Sequence, residues 1–134
     1  MEPSLSNTPL ISIVEDDDSV RTAMGDMVES FGFQVGTFRS ADEFLRSERL
    51  HDTACLILDI QMPGMTGLEL HDLLVASGPP IPTMFVTAFF DTRIRDRAMQ
   101  AGAICCLAKP FDRHDLLNSI HAALQSRNPG KSQS

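Results

Sequence analysis

The 134-residue chain lacks several features that would set it apart from ordinary globular proteins. No apolar run is long enough to cross a membrane, and the first residues lack the basic and apolar regions of a signal peptide. Only 11 residues are Lys or Arg against 18 Asp or Glu, which argues against nucleic-acid binding because that requires clustered cations. Three cysteines, an odd number, do not make a disulfide framework. We therefore expect a cytoplasmic protein with reduced thiols that contacts neither membrane nor nucleic acid.

Repeats and low-complexity segments are absent as well, and what remains is a regular alternation of two patterns. Five short apolar runs, typical of strands buried on both faces, alternate with five amphipathic stretches. Such alternation predicts a doubly wound α/β domain, with a parallel five-stranded sheet and right-handed crossovers. The domain would span residues 9–126, with flexible tails at 1–8 and 127–134. The predicted strands are 10–14, 34–38, 55–59, 82–86 and 103–108.

The predicted helices carry their own start signals. Ser40 with Glu43, and Thr66 with Glu69, form the capping-box pattern of a hydroxyl followed three residues later by a carboxylate. The N-terminus of a helix carries partial positive charge and is stabilised by acidic side chains. The acidic run after the first strand therefore also helps to start the first helix. The remaining candidate starts are Asp17 and Asp18, Asp91 or Thr92, and Asp112.

Four of the predicted strands end in polar side chains, and the carboxyl ends of parallel strands lie along one edge of a sheet. In the flavodoxin-like strand order 2-1-3-4-5, the first and third strands flank the topological switch point. Neighbouring strands about 4.8 Å apart would bring Asp16 and Asp59 face to face. Crowded carboxylates repel each other unless a cation bridges them, and their oxygens suit Mg²⁺, with Mn²⁺ as a substitute. The strand-end residues are Glu15 and Asp16, Asp59, Thr87, and Lys109.

The fourth and fifth strand ends supply what a phosphoryl group needs. The Lys109 ammonium can pair with one phosphate oxygen, and the Thr87 hydroxyl can donate a hydrogen bond to another. Asp59 is then the nucleophile that forms an aspartyl phosphate, and it needs no general base because a carboxylate is ionised near neutral pH. Each residue alone would be an ordinary turn, cap or surface residue, so the interpretation depends on their meeting at one edge.

The segments that carry these residues resemble response-regulator receiver domains of two-component systems, and the resemblance covers about Leu10 to Gln125. It is nearest to the FixJ-like branch, whose receivers usually precede a helix-turn-helix domain, and it implies the CheY-like fold. In the order of the family, the matching segments are ISIVEDDDSVR, LILDIQMPGMTGLEL, MFVTA and AKPF.

The resemblance implies a role for each residue at the predicted metal site. Asp16 would bind Mg²⁺ directly, and Glu15 would act largely through metal-bound water. Asp59 and the backbone carbonyl of Gln61 would complete the metal shell. Glu15 stands where receivers usually have Asp, and the family tolerates this change.

The same resemblance implies that Asp59 accepts a phosphoryl group from a sensor histidine kinase or phosphotransfer protein in a phosphorelay. Thr87 would contact that group and move on activation, while Lys109, on a cis Lys109–Pro110 bond, would pair with it. The movement would switch the face formed by the fourth helix, fifth strand and fifth helix, and so control dimerisation or an output partner, including transcription in a longer regulator. Such a protein catalyses only its own phosphoryl uptake and loss and is not otherwise an enzyme.

A second position, besides Glu15, departs from the family pattern. Receivers usually carry Tyr or Phe three residues before the Lys, and here that residue is Cys106. A thiol cannot sweep the volume of a ring, and Phe89 or Phe90 is the candidate substitute. We expect Cys105 and Cys106 to lie in a strand packed on both sides, without a redox or metal function.

Interleaved charges mark the fourth and fifth predicted helices. Such a pattern is typical of a solvated face, but it is also self-complementary across a two-fold axis and so favours a homodimer. The residues are Arg93, Arg95, Arg97 and Arg113 with Asp91, Asp96, Asp112 and Asp115.

Two other functions stay open. A haloacid-dehalogenase-like, Mg²⁺-dependent phosphohydrolase also forms an aspartyl phosphate, but Ile60 and Gln61 follow Asp59 where that class has a second acid. A receiver-like interaction domain that works without phosphorylation would keep the fold, and Cys106 is the residue that favours it.

Overall fold

The computed structural model describes residues 8–78 and 80–126, which contain one five-stranded parallel sheet flanked by helices. The strands are β1 Leu10–Val14, β2 Gln34–Phe38, β3 Thr53–Asp59, β4 Thr83–Thr87 and β5 Cys105–Ala108. Their order in the sheet is β2-β1-β3-β4-β5, so the predicted doubly wound fold is confirmed. The helices are α1 Asp18–Ser30, α2 Ala41–Leu45, α3 Gly67–Ser77, α4 Thr92–Gln100 and α5 Arg113–Ser126, with a 3₁₀ helix at Glu48–Asp52.

The central strand β3 is buried along its whole length because side chains pack against both faces of the sheet. Successive residues of a strand point to opposite faces, and here Leu58 packs in one core cluster with Leu70 of α3. Ile57 packs in the other cluster with Val28 of α1 and Leu116 of α5. A slip of one residue would exchange the two faces, so the core fixes the register of β3 and thereby the position of its last residue.

The predicted helix starts are largely confirmed. At α3 both halves of the capping box form, since Thr66 accepts from the Glu69 N–H and Glu69 accepts from the Thr66 N–H. At α2 the Ser40 side chain accepts from the Glu43 N–H, but the Glu43 carboxylate reaches one residue further back, to the Arg39 N–H at 2.6 Å. The other helices start at acidic residues whose side chains accept from an N–H three residues later: Asp17, Asp91 and Asp112.

β5 packs against the core on both faces of the sheet, as expected: Cys106 contacts one core cluster, and Cys105 and Leu107 contact the other. The strand order places β5 at the edge of the sheet, where Cys105 and Cys106 are half-buried. Burial, and to a lesser degree the neighbouring Cys105, raises the pKa of the Cys106 thiol to about 11. Both thiols therefore stay protonated near neutral pH, the form that is least reactive.

Some boundaries differ from the apolar pattern. β3 begins at Thr53, two residues before the predicted start, and the 3₁₀ helix that precedes it has no apolar period to indicate it. Of the predicted tails, residues 1–7 and 127–134 lie outside the described residues. Within the part of the chain that the structure describes, no helix combines the length and apolar character needed to cross a membrane.

Candidate functional site

Four strand ends meet at the carboxyl edge of the sheet. β1 leads into Glu15 and Asp16, β3 ends at Asp59, β4 ends at Thr87, and β5 leads into Lys109. β1 and β3 are direct neighbours although a whole βα unit separates them in the chain, so the edge beside them is the switch point of the fold. The structure therefore brings together the residues that the sequence singles out.

The three acids form a compact cluster. Glu15, Asp16 and Asp59 each offer a carboxylate oxygen, and these atoms lie within 4.8 Å of one another. Glu15 and Asp59 are only 1% and 4% exposed, whereas Asp16 is exposed to solvent. A small divalent cation such as Mg²⁺ prefers oxygen ligands and keeps some of its bound water, so a group of carboxylates that is open to solvent on one side suits it. The residues present thus fit the metal that the sequence predicts.

Lys109 neutralises part of this negative charge. Its Nζ donates to Glu15 Oε1 at 2.7 Å and lies 3.6 Å from Asp59 Oδ1. The Lys109–Pro110 bond is cis, as the resemblance implies. One ammonium against three carboxylates leaves negative charge uncompensated, and this excess is what a bound cation would meet.

The ionisation of Asp59 differs from the sequence expectation. Burial is the largest cause that raises the pKa of the Asp59 carboxyl, and repulsion by Glu15 raises this pKa further. The attraction of Lys109 offsets only part of the increase, so the pKa is about 7. Without a bound cation the carboxyl is therefore partly protonated near neutral pH rather than fully ionised. A cation held beside it would favour the carboxylate, because opposite charge lowers a carboxyl pKa.

The loop after Asp59 is held tightly at its far end by Gly67. A Cβ on Gly67 would overlap the backbone carbonyl oxygen of Asp59, so no larger residue fits without a shift of backbone. The Gly67 N–H donates to the Ile60 carbonyl at 3.0 Å, and the capping box of Thr66 begins α3 at the same point. The sequence marks Gly67 as a loop residue but does not indicate this contact with the strand that carries Asp59.

The hydroxyl of Thr87 has a partner that the sequence does not indicate. Thr87 is fully buried, and its Oγ1 donates to the side-chain Oε1 of Gln61 at 2.7 Å. The N–H of Phe89 donates to the same Oγ1 at 3.0 Å. Sequence reasoning assigns Gln61 a role through its backbone carbonyl alone, and that role stays a prediction. Spacing along the chain offers no signal for a contact between side chains 26 residues apart.

The aromatic substitutes proposed for Cys106 lie at the surface. Phe89 and Phe90 are 69% and 42% exposed, so neither fills the position from which a ring would turn inward. Cys106 lies opposite Phe85 in the β4–β5 register and packs against the core cluster on that face. In this conformation the small thiol leaves that role unfilled.

The charged residues of α4 and α5 divide into two groups. Asp91 and Asp112 cap their helices, and the Arg113 guanidinium lies 4.8 Å from the centre of the Phe31 ring, so these three side chains act within the domain. The second group is exposed on the two helices: Arg93, Arg95, Asp96 and Arg97 on α4, and Asp115 on α5.

The fold and the site together define a class of protein. A five-stranded sheet in this order, with an acidic cluster and a lysine at its switch point, is the arrangement that the resemblance implies. The family model "Response regulator receiver domain" matches residues 11–121. The chain therefore belongs to this family and is a receiver domain of a two-component response regulator.

Two curated relatives are about twice as long as this chain. The chain is 37% identical over 120 residues to Nodulation protein W of Bradyrhizobium diazoefficiens, covering 90% of this chain and 53% of that protein. It is 40% identical over 116 residues to Response regulator protein TmoT of Ectopseudomonas mendocina, covering 87% of this chain and 53% of that protein. The chain thus spans about half the length of these relatives.

Solved structures of response regulators superpose closely on this chain. The response regulator StyR matches with a TM-score of 0.83 at 41% identity, over 94% of this chain and 64% of that one. FixJ-N matches with a TM-score of 0.80 at 30% identity, over 89% of this chain and 95% of that one. The similarity to FixJ-N agrees with the expected FixJ-like branch.

Proposed function

We propose that this receiver accepts a phosphoryl group onto Asp59 from the phosphohistidine of a sensor histidine kinase or phosphotransfer protein. The observation that carries the proposal is the convergence on one buried carboxylate of an acidic cluster and a lysine 3.6 Å away. Membership of the receiver family supports the same assignment.

Glu15, Asp16 and Asp59 would hold Mg²⁺, with the backbone carbonyl of Gln61 as a further ligand and Mn²⁺ as a substitute. The ion would supply positive charge at the phosphoryl oxygens, where negative charge accumulates during transfer. It would also relieve the repulsion that raises the pKa of Asp59, so that the carboxylate is available as a nucleophile.

Phosphoryl transfer exchanges one bond to phosphorus for another. An Asp59 oxygen forms a P–O bond as the P–N bond of the donor breaks, and the donor imidazole leaves with the bonding electron pair. Lys109 pairs with one phosphoryl oxygen, and the Thr87 hydroxyl donates a hydrogen bond to another. Attack by water on the same phosphorus later releases phosphate and regenerates the Asp59 carboxylate, so the domain limits the lifetime of its own signal and is not otherwise an enzyme.

We propose that the output is a shift of α4, β5 and α5 between two packings, driven by movement of Thr87. The exposed arginines of α4 support a homodimer formed through this face, with an output partner as the alternative. Since other relatives, of which the chain covers about half the length, are named transcriptional regulatory proteins, regulation of transcription by a longer protein belongs to this proposal. The phosphorylated unit would be residues 9–126, acting in the cytoplasm where regulators of transcription meet DNA.

Labelling with acetyl phosphate tests the assignment. With Mg²⁺ present, the unsubstituted protein should be labelled, and Asp59→Asn should not, because the near-isosteric amide keeps the fold but cannot attack phosphorus. Asp26→Asn, at an exposed position of α1, is the matched control and should be labelled fully. Full labelling of Asp59→Asn would show that the site is elsewhere.

Two further measurements, phosphate release and beryllofluoride binding, distinguish the two other functions. Steady release of phosphate from many phosphate esters would indicate a phosphohydrolase. A folded protein with no Mg²⁺-dependent labelling and no Mg²⁺-dependent beryllofluoride binding would indicate an interaction domain that works without phosphorylation.

A further inference from the structure

The single donor proton of the Thr87 hydroxyl is already engaged in a hydrogen bond in this conformation. Thr87 is fully buried, and its Oγ1 accepts from the Phe89 N–H at 3.0 Å. The hydroxyl carries a single proton, and it donates that proton to Gln61 Oε1 at 2.7 Å. A carboxamide oxygen only accepts, so the direction of this second bond is fixed.

The proposed role of Thr87 requires the same proton. Phosphoryl oxygens on Asp59 would also be acceptors only, so the hydroxyl can donate to Gln61 or to the phosphoryl group but not to both. We propose that the side chain of Gln61 is a latch that holds Thr87 in the resting conformation and opposes its movement to the phosphoryl group. This inference rests on the function proposed above and makes Gln61 a positioning residue, one that acts through Thr87.

The surroundings of the two residues determine the strength of the latch. Thr87 is buried at the end of β4, whereas Gln61 is exposed on the loop after β3. When the bond breaks, water solvates the freed amide, so the latch is worth one net hydrogen bond and shifts the equilibrium by about two- to tenfold. A latch of this size sets a threshold for activation and is readily released by a phosphoryl group.

Gln61→Met tests the latch because it keeps the length of the side chain and the backbone carbonyl but removes the acceptor. Beryllofluoride, which stands in for the phosphoryl group, should bind this variant in the presence of Mg²⁺ about two- to tenfold more tightly than it binds the unsubstituted protein, as measured by titration calorimetry. Both proteins are titrated at saturating Mg²⁺, so that any difference in metal affinity does not enter the comparison. Gln61→Ala should tighten beryllofluoride binding in the same direction.

A double-mutant cycle with Thr87→Val separates the latch from a general effect on the loop. Valine keeps the shape of threonine without its hydroxyl, so Gln61→Met should no longer change beryllofluoride affinity in that background. A spectroscopic readout without any ligand is also available. In the metal-free protein, Gln61→Met should move the amide resonance of Phe89 part of the way towards its position in the beryllofluoride-bound unsubstituted protein.

Several outcomes would overturn the latch. Equal or weaker beryllofluoride binding by Gln61→Met would show that the side chain only supports the loop. The same tightening in the Thr87→Val background, or an unmoved Phe89 resonance, would show that Gln61 does not act through the hydroxyl. Failure of the unsubstituted protein to bind beryllofluoride with Mg²⁺ would instead overturn the proposed function, and the latch with it.

Discussion

Negative charge exceeds positive charge around Asp59, and this excess affects the stability of the domain and its affinity for cations. Glu15 and Asp59 are buried beside each other, and Lys109 donates to the first at 2.7 Å but lies 3.6 Å from the second. Burial of like charges costs free energy of folding unless an opposite charge compensates them. The resting receiver therefore carries a destabilising site, and relief of that instability is available to drive cation binding.

Asp59→Asn should stabilise the metal-free protein at alkaline pH. The folded pKa of Asp59 is about 7, against about 3.9 in an unfolded chain, so between these values the folded state holds a proton that the unfolded state has released. The free energy of unfolding therefore falls as pH rises through this window, and a neutral amide abolishes the fall. We expect the gain in stability near pH 8 to exceed the gain near pH 5 by about 2 kcal/mol, and the gain to vanish only below about pH 4, where both states hold the proton.

Thermal denaturation in a chelating buffer at the two pH values measures this effect. The control is Asp26→Asn, whose exposed carboxylate should alter the melting temperature by the same small amount at both. A lower melting temperature for Asp59→Asn than for the unsubstituted protein at the higher pH would contradict the charge argument.

Lys109→Ala should destabilise the metal-free protein while leaving Mg²⁺ binding possible. It leaves Glu15 buried without its cation, which by analogy with buried ion pairs costs about 2 kcal/mol or more. Arg46→Ala is the control, because its 2.8 Å pair with Asp42 is exposed and is worth less than about 1 kcal/mol. Urea denaturation should show a larger loss in the free energy of unfolding for Lys109→Ala than for Arg46→Ala. Added Mg²⁺ should make the two losses more similar. Equal losses in the two variants would show that Lys109 does not compensate the cluster.

At the scale of elements, short-range patterns predicted most of the fold. The strands β1 and β2 begin and end where the apolar runs do, and the caps at Thr66 and Asp112 follow from chemistry within four residues. The half-exposed state of Cys106 was missed because an edge strand and a central strand share the same apolar pattern. The hydrogen bond from Thr87 to Gln61 was missed because tertiary packing, not spacing, creates it.

The start of α3 provides a test of how the site loop is held. Gly67→Ala would place a Cβ against the carbonyl oxygen of Asp59, and neither group can move without displacing backbone. We expect a loss of stability of about 2 kcal/mol or more, as overpacking in a rigid environment produces, together with weaker Mg²⁺ binding. Urea denaturation and calorimetry measure the two effects.

Gly78→Ala is the matched control for this prediction. Gly78 follows the same helix at its other end, and nothing lies within 4 Å of a Cβ placed there. Its stability should stay within about 1 kcal/mol of the unsubstituted protein. Comparable losses in the two variants would mean that alanine perturbs α3 itself rather than the contact with Asp59.

At the scale of the whole molecule, the site and the proposed output face share elements. β4 ends at Thr87, and its edge partner β5 leads into Lys109, so the movement proposed at Thr87 would be passed to the strand that borders α4 and α5. Most of the core is inaccessible and closely packed, whereas β5 is half-buried and α4 is largely exposed. We infer that this side of the domain deforms at the lowest cost in free energy.

The dimer proposed for this face should depend on Arg95. It is exposed on α4, and its only described ion pair is a 3.5 Å contact with the adjacent Asp96, so its charge is available to a second copy. With beryllofluoride and Mg²⁺, Arg95→Ala should weaken self-association several-fold, and added salt should weaken that of the unsubstituted protein. Sedimentation velocity measures both effects. Arg46→Ala, at the residue that follows α2, should dimerise normally, and an equal loss there would point to a different interface.

Glu15 and Lys109 lie 94 positions apart, and this separation has a consequence for synthesis of the chain. During translation the acidic residues emerge first, and their compensating cation arrives only with the last strand. A ribosome-bound fragment that ends before β5 would have to form its pocket with the anions unopposed, which disfavours closure of the pocket. We therefore expect the chain to become able to accept a phosphoryl group only late in translation, when the domain is nearly complete. An incompletely synthesised receiver would then not be phosphorylated.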